Sequence, residues 1–243
     1  MKISILTSPE ISSNTLALLF PILKIENILR KKKIFINIES KINIDLLKSD
    51  LVIIDSKFHK NLWEINCNKI FEELRILKDS VGKIFYYDTT DSTGCIQKEI
   101  FPFIDKYLKS QILLKSSLYK NRYYGQRIFS DYYHKNFNVI DQKAIYSTSL
   151  TDSEIKKIDL GWNSSICNYS FLGKIFNFIF SKTRIRKFLI SPFPYLSPNT
   201  KRKSNFNYRM STTYPKNTIS FQRKFVLEKM SKIKKRVGFR KYI

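Results

Sequence analysis

Short β-branched runs alternate with stretches of helical periodicity through the first half of the chain. Four of these runs have the length of a buried strand: residues 2–7, 34–38, 50–55 and 83–88. Between them, residues 15–29 are apolar behind candidate N-cap residues, and residues 68–79 place leucine and isoleucine at helical spacing. Such alternation is typical of an open parallel sheet with right-handed crossovers. The pattern therefore predicts an α/β fold, with a Rossmann-like parallel sheet in residues 1–150 that ends near residue 150.

The pattern changes in the C-terminal part of the chain, which predicts a basic, partly helical extension. Residues 171–180 form an apolar and aromatic helix candidate that is followed by several lysines and arginines. Residues 191–198 contain three prolines, which cannot lie inside a helix, so we expect a linker and a domain boundary there. Residues 220–236 predict one basic helix with an apolar stripe. The predicted division of the chain is residues 1–150, 151–200 and 201–243.

The composition excludes two broad classes of protein. Apolar residues make up 43% of the chain and aromatic residues 14%, which is enough to form a core and excludes a disordered chain. The longest apolar run, residues 16–23, is far shorter than the roughly 18 residues needed to span a membrane. The apolar run before Pro9 is also too short for a secretory signal. We therefore expect a cytoplasmic protein, with peripheral attachment to the inner face of the membrane left open.

The positive charge is concentrated at one end of the chain. Of the net charge of +24, residues 161–243 carry +18, and Glu228 is the only acidic residue among them. Such a segment repels itself, so we expect it to meet anions such as nucleic acid, anionic lipid or phosphorylated sugars. The alternative is a solvated basic face in a proteome that is rich in lysine and isoleucine.

Cysteine and histidine are too sparse to indicate a metal centre. Cys67, Cys95 and Cys167 are odd in number and far apart, which argues against a disulfide framework and against a zinc site. His59 and His134 lack a nearby nucleophile signature, so both are expected at the surface. The sequence predicts no metal and no cofactor.

The most informative local segment is residues 86–94, where a strand is expected to end. In open α/β sheets, ligands bind outside the carboxyl ends of the strands. Asp88 and Asp91 could bind sugar hydroxyls or act as a base, with three small hydroxyl donors beside them: Thr89, Thr90 and Ser92. The same residue types also cap helices, so a turn without chemistry is an equal alternative. The Asp-x-x-Asp spacing differs from the Asp-x-Asp of metal-dependent nucleotide-sugar sites, and we expect no metal here.

Two further patterns limit the candidate functions. Residues 8–13, after the first strand, contain no glycine, which excludes a dinucleotide fingerprint and a P-loop. Basic and aromatic residues interleave over residues 115–133, as they do in proteins that stack single-stranded bases on aromatic rings. No known nucleic-acid-binding motif accompanies them, so nucleic acid is the weaker expectation.

Several stretches, in order along the chain, resemble family-one-type GT-B glycosyltransferases from the gene clusters that build lipopolysaccharide or capsule. The similar stretches are residues 50–56, 85–94, 104–111, 124–133, 157–163, 209–214 and 220–223. The resemblance implies that residues 1–150 are a Rossmann-like acceptor domain and that residues 201–243 begin a truncated donor domain. It also implies transfer of a sugar from a nucleotide-sugar to a glycan or lipid-linked acceptor. Three explanations of the missing donor region stay open, namely a truncated protein that is inactive alone, a split or decayed gene, and a partner chain that supplies the rest.

The resemblance also suggests roles for individual residues. Asp88 or Asp91 would orient or deprotonate the acceptor hydroxyl, and the remaining substrate contacts would come from Thr89, Thr90, Ser92, Lys109, Arg127, Trp162 and Asn163. Lys109 and Arg127 are expected to contact phosphate. Two other classes stay open, namely a basic single-strand nucleic-acid-binding protein and a non-catalytic scaffold at the membrane surface.

Overall fold

The structure is a computed structural model that describes residues 1–90, 93–162, 170–183, 185–188, 211 and 213–232. Asp91, Ser92, Asn163 and the proline-rich segment 191–198 lie outside the described residues. The described residues divide into two compact units, each of which is built from several parts of the chain. The first unit takes residues from 1–93, 97–116 and 150–197, and the second takes residues from 94–96, 117–149 and 198–243.

The first unit is built on a six-stranded parallel sheet. Its strands are β1 (Lys2–Leu6), β2 (Phe35–Glu39), β3 (Leu51–Asp55), β4 (Ile84–Asp88), β5 (Lys106–Lys109) and β6 (Ile158–Leu160). They lie in the order β2-β1-β3-β4-β5-β6, and every neighbouring pair is parallel. The predicted α/β fold with a parallel sheet is confirmed, and all four predicted strands begin and end within about one residue of the observed ones. The expectation that the sheet ends near residue 150 is wrong, because β6 pairs with β5 beyond that point.

Helices connect the strands and form most of the rest of the described chain. They are α1 (Ser13–Lys24), α2 (Glu26–Lys31), α3 (Ile44–Leu47), α4 (Leu62–Ile65), α5 (Cys67–Ser80), α6 (Ile128–Phe137), α7 (Asp152–Ile155), α8 (Phe171–Thr183) and α9 (Asn217–Lys232). Single 3₁₀ segments lie at Lys98–Phe103, Ser116–Lys120 and Arg186–Phe188. Residues 15–29, predicted as one helix, form two, because the chain breaks at Ile25 between α1 and α2.

Side-chain caps explain where several of these helices begin. The hydroxyl of Ser12 accepts a hydrogen bond from the amide of Thr15 and starts α1. Asn66 accepts from the amide of Lys69 at the start of α5 in the same way. Each cap satisfies one of the amides that a helix leaves without an internal partner. The cap at Ser12 fixes the position of the helix end that follows β1.

One face of the sheet packs against α1 in a continuous apolar core. Leu16 and Leu19 of α1 belong to one buried cluster with the sheet residues Ile5 and Ile53, and Phe180 of α8 joins it. All of these side chains are buried. Burial of each such side chain stabilises the fold by about 1.5–3 kcal/mol, so α1 and the N-terminus of that helix are held firmly on the sheet.

The second unit has its own small aromatic core between α6 and α9. The rings of Tyr133 and Phe137 contact those of Phe221 and Phe225, with centroids 5.2–6.1 Å apart. The start of α9 is held by Asp141, whose carboxylate accepts from the amide and the hydroxyl of Thr218. The predicted basic helix over residues 220–236 is present in its described part.

Candidate functional site

Two buried carboxylates lie at the carboxyl ends of neighbouring strands. Asp55 is the last residue of β3, and Asp88 is the last residue of β4. Because β3 and β4 are parallel, both side chains belong to the same edge of the sheet, where ligands bind in this class of fold. Asp55 is fully buried and Asp88 is 4% exposed.

Asp88 forms a buried ion pair with Lys109 at the end of β5. The lysine Nζ lies 2.5 Å from Oδ2 of Asp88, and the hydroxyl of Tyr107 donates to the same oxygen at 2.7 Å. The other oxygen of Asp88 accepts from the amide of Thr90 at 2.9 Å. Lys109 is fully buried, so its charge is compensated by the carboxylate rather than by water. In this arrangement Asp88 holds the start of the loop that follows β4.

Asp55 accepts hydrogen bonds from three threonine hydroxyls and one backbone amide. Its Oδ2 accepts from Thr7 at 3.0 Å and Thr15 at 2.5 Å. Its Oδ1 accepts from Thr89 and from the amide of Lys57, each at 3.1 Å. Burial raises the pKa of Asp55, although these hydrogen bonds partly oppose the shift. The carboxylate therefore ties the ends of β1 and β4 and the first turn of α1 to β3.

Asp55 is a candidate site residue that the sequence patterns did not predict. The sequence predicts residues 50–55 as a strand and places residues 50–56 among the stretches that resemble the transferases, but it assigns Asp55 no role. The three hydroxyl donors come from other parts of the chain. The available signal is that Asp55, like Asp88, directly follows a β-branched or aromatic run. An aspartate in that position lies at the ligand-binding edge of a parallel sheet.

The structure brings four of the predicted site residues together: Asp88, Thr89, Thr90 and Lys109. Thr89 is buried, and its amide and hydroxyl both contact the hydroxyl of Ser56 at 3.1 Å. The backbone oxygen of Thr89 accepts from the side-chain amide of Asn14 at 2.8 Å. These contacts make Thr89 a link between the loop after β4 and the start of α1.

Trp162 and Arg127 lie elsewhere in the fold. The indole nitrogen of Trp162 donates to the carbonyls of Ala17 and Leu18 in α1, and its ring packs 4.8 Å from that of Tyr87. Arg127 belongs to the second unit, where its guanidinium lies over the ring of Phe129. The remaining predicted site residues, Asp91, Ser92 and Asn163, lie outside the described residues.

A polar cleft opens where the chain leaves β1 and β3. This switch-point cleft has a volume of about 440 Å³ and is lined by Ser8, Glu10, Ile11, Ser12, Ser13, Asn14, Lys57, Lys60 and Asn61. From β1 the chain crosses to β2 on one side, and β3 lies on the other, so the strand order reverses here. Open α/β sheets bind ligands at such a reversal. From the sequence, residues 8–13 are notable for their lack of glycine and for the candidate N-cap residues Ser12 and Ser13, and they do not indicate a cleft.

The lining of the switch-point cleft favours a polar, negatively charged ligand. The cleft includes the N-terminus of α1, where the backbone amides carry partial positive charge and the first turn contains no acidic residue. Lys57 and Lys60 add two cationic side chains, and Glu10 is the only acidic residue among the described residues of the lining. Serine hydroxyls and asparagine amides complete it, and these groups form hydrogen bonds with sugar hydroxyls as well as with phosphate.

A buried histidine anchors the loop that carries both lysines. His59 lies between Lys57 and Lys60 and is fully buried, so the prediction of a surface histidine is wrong at this position. Its Nε2 lies 3.0 Å from Oε2 of Glu73 on α5, while its Nδ1 has no partner among the described residues. Burial lowers the pKa of His59, and Glu73 opposes that shift. The contact between His59 and Glu73 fixes the loop against α5.

The described residues contain no group of three histidine, cysteine, aspartate or glutamate side chains placed to hold a metal ion. None of the described helices combines the length and the apolar character that crossing a membrane requires. The fold class is thus α/β with a Rossmann-like parallel sheet, and the candidate site is a polar cleft beside two buried carboxylates. Comparison with known proteins gave no matching family model, no matching curated protein and no matching solved structure.

Proposed function

We propose that the chain is a glycosyltransferase-like protein of GT-B type that holds a phosphate-bearing glycan or lipid-linked acceptor in the switch-point cleft. The sugar would come from a nucleotide-sugar donor. The observation that carries the proposal is the position of this polar cleft at the strand-order reversal of a parallel sheet. The resemblance of the sequence to such transferases supports the same assignment.

The chemistry of the cleft suits both parts of such an acceptor. Phosphate oxygens bind well at a helix N-terminus flanked by lysines, which the first turn of α1, Lys57 and Lys60 provide. Sugar hydroxyls need donors and acceptors in close alternation, which Ser8, Ser13 and Asn61 supply. The volume of about 440 Å³ is within the range of small-ligand sites.

Sugar transfer also needs a group that accepts the proton of the attacking hydroxyl. Asp88 is occupied by Lys109 and Tyr107, so we assign it a positioning role for the loop that contacts Asn14. Glu10 lines the cleft and is exposed, so it is the carboxylate that we assign as the base. Asp91 stays a prediction from the sequence. A positioned base contributes about 10²–10⁴-fold to the rate of such reactions.

Three tyrosines within residues 115–133 are buried, whereas Tyr132 is 54% exposed. Tyr119, Tyr124 and Tyr133 are each less than 9% exposed, and the ring of Tyr124 stacks on that of His134 at 3.8 Å. These three rings are therefore not available to stack on bases, and the one well-exposed tyrosine does not form the series of rings that single-strand binding uses. We therefore propose no second function from this segment.

Turnover with a panel of nucleotide-sugars tests the proposal. Nucleotide release would be measured with short phosphorylated oligosaccharides and with lipid-linked glycans as acceptors. Because the resemblance places donor residues from 201 onward, each assay would run with and without an added GT-B donor domain. We expect release that depends on the acceptor and that falls at least about 100-fold in Glu10→Gln.

A matched pair of double variants separates the cleft from general charge. Lys57→Ala with Lys60→Ala removes both cleft lysines, whereas Lys31→Ala with Lys32→Ala removes the same charge from α2 and its C-terminal cap. We expect the first to raise the KM for a phosphorylated acceptor by about tenfold or more, because each lost charge-assisted hydrogen bond costs about 1.5–3 kcal/mol. The second should leave it unchanged. Equal effects of both pairs, or no acceptor-dependent release under any condition, would contradict the proposal.

A further inference from the structure

Helix α8 turns an apolar face away from the core of the first unit. Phe171 is 78% exposed, Leu172 63% and Phe178 64%, and the side chain of Ile175 is also exposed. Residues at positions i, i+4 and i+7 lie on one side of a helix, so Phe171, Ile175 and Phe178 share a face. Leu172 lies beside them, and we call Phe171, Leu172, Ile175 and Phe178 the outer face of α8.

The opposite side of α8 fixes this orientation. Phe180 is fully buried in the core cluster that includes α1 and β1, and Gly173 is buried on the same side. Phe176 stacks on Phe188 of the following 3₁₀ segment, with ring centroids 5.9 Å apart. Since rotation of the helix would expose Phe180, the outer face cannot turn inward without loss of core packing.

Exposed lysines lie on α8 and shortly after it, and Lys182 directly borders the outer face. Lys174 and Lys182 lie on α8 itself, and Lys187 follows in the 3₁₀ segment. The ammonium of Lys182 lies 5.9 Å from the ring centroid of Phe178, and that of Lys187 lies 5.3 Å from the ring centroid of Phe188. Residues 161–227 contain no acidic residue at all, so the surroundings of α8 in the sequence are purely basic. An apolar stripe with a cationic border complements an anionic bilayer surface.

We propose that α8 docks on the surface of an anionic lipid bilayer and lies parallel to it. The outer face enters the boundary between headgroups and acyl chains, and the three lysines contact lipid phosphates. At 13 residues, α8 is about 20 Å long, too short to cross the hydrocarbon layer but ample for an interfacial position. A second copy of the chain fits this face less well, because symmetric pairing of α8 would bring the two sets of lysines together. This inference does not depend on the proposed function.

Vesicle sedimentation with the full chain tests the proposal. The probes are vesicles of phosphatidylcholine alone and vesicles that contain about 30% phosphatidylglycerol, at low salt and at about 0.5 M salt. We expect strong binding to the anionic vesicles, with a residual part that survives high salt because the apolar contacts are not screened. Absence of binding to anionic vesicles would overturn the proposal.

Two variants and a control assign the binding to α8. Phe171→Ser with Phe178→Ser should weaken binding to anionic vesicles by about tenfold or more and abolish the salt-resistant part. Replacement of Lys174, Lys182 and Lys187 by Gln should weaken binding at low salt on the order of 100-fold, because each lysine near an anionic surface contributes about fivefold. The control, Ile65→Ser with Leu114→Ser, removes two exposed apolar residues of the same unit, which are 79% and 97% exposed, and should change nothing. Equal binding by the serine variants of α8 and the control would overturn the proposal.

Depth of insertion distinguishes the bilayer from other occupants of the outer face. In Phe178→Trp, lipids brominated near the headgroup should quench the new tryptophan beyond the quenching of Trp63 and Trp162 in the unmodified chain. A tryptophan at 178 that is already shielded in the free protein and is not quenched would show that another part of the chain covers the face, against the proposal. Sedimentation equilibrium completes the test, because a dimer that dissociates in Phe171→Ser with Phe178→Ser would also overturn it.

Discussion

The ammonium of Lys109 lies 2.5 Å from a carboxylate oxygen of Asp88, and both groups are shielded from water. The two residues are direct partners in the register of β4 and β5. Removal of one charge from a buried pair costs far more than removal of both, because the remaining ion keeps its desolvation penalty without its partner. Lys109→Met is therefore expected to lower the free energy of unfolding by about 3–5 kcal/mol.

The double variant Lys109→Met with Asp88→Asn checks the origin of this loss. Without either charge, the pair is replaced by neutral groups of similar size, and the carboxamide introduced by Asp88→Asn keeps an oxygen that can accept from the amide of Thr90. We expect the double variant to recover at least about half of the stability that Lys109→Met loses. Urea unfolding of the unmodified chain, of Lys109→Met, of Asp88→Asn and of the double variant gives the coupling energy directly. Additive losses would show that the two residues are independent.

Asp55 should show the opposite pH behaviour from an ordinary ion-paired carboxylate. Burial raises its pKa above the usual value near 3.8, so the folded state binds the proton more tightly than the unfolded state does. The contribution of this group to stability is thus fully present below that usual value and is lost as the pH rises through the raised folded pKa. As the pH rises through this window, the unmodified chain should therefore lose unfolding free energy relative to Asp55→Asn, which does not titrate. A difference that is constant with pH would contradict the assignment.

The alanine variant tests the hydrogen bonds of Asp55 separately from its charge. Asp55→Ala leaves the hydroxyls of Thr7 and Thr15 and the amide of Lys57 without this acceptor. Each unsatisfied buried donor costs about 1–3 kcal/mol, so we expect a loss above roughly 3 kcal/mol at neutral pH. Asp55→Asn keeps an acceptor and should lose clearly less. Thermal unfolding of both variants at one pH compares them.

The strands were predictable from sequence because each is a short, dense run of β-branched or aromatic residues. Observed β1 and β3 match such runs, whereas β6 has only three residues, two of them exposed, and no apolar run that indicates a strand. The loop after β4 was also placed correctly at the carboxyl end of that strand. The partner of Asp88 was not predictable, since the pairing with Lys109 depends on the register between strands 21 residues apart.

Burial of single polar residues was the hardest feature to predict. Residues 56–61 are mostly polar, which indicates a surface loop, yet His59 within them is fully buried against Glu73. Its partner Glu73 lies 14 residues away on a separate helix, so no local sequence pattern predicts the contact. Asp55 is similar, because its hydroxyl donors come from three separate parts of the chain. The switch-point cleft depends in the same way on strand order, which sequence periodicity does not determine.

Gly161 is expected to tolerate no side chain. A Cβ at this position would lie 2.6 Å from the hydroxyl oxygen of Tyr87 and 2.7 Å from its ring carbon Cζ. The Tyr87 ring cannot move freely, because its hydroxyl donates to the carbonyl of Trp162 at 2.7 Å and its ring packs on the indole. Gly161→Ala should therefore lower the unfolding free energy by about 1–3 kcal/mol through overpacking.

Tyr87→Phe provides the control for this steric effect. It removes the hydroxyl that lies closest to the added Cβ, at the cost of one hydrogen bond of about 1 kcal/mol. In the Tyr87→Phe background, Gly161→Ala should therefore cost less than it does alone. Guanidinium unfolding of the two single variants and the double variant measures the difference. An equal cost in both backgrounds would place the strain of Gly161→Ala on another contact.

His59 is expected to control the stability of the loop that carries the cleft lysines. Burial lowers the pKa of His59 below its usual value near 6.5, so between the folded pKa and 6.5 the unfolded state binds more protons. Stability should then fall as the pH decreases through 6.5 toward the lowered folded pKa, and less so in His59→Gln, which does not titrate. Thermal unfolding across that range tests the slope of stability against pH, with His134→Gln as the control for the other histidine.

Because His59 lies between Lys57 and Lys60, its protonation should also loosen their loop before global unfolding. Hydrogen exchange of the amides of residues 57–61 should accordingly accelerate more than that of α5 as the pH falls, after correction for intrinsic exchange rates. Equal protection of the loop in the unmodified chain and in His59→Gln at every pH would show that His59 does not control it.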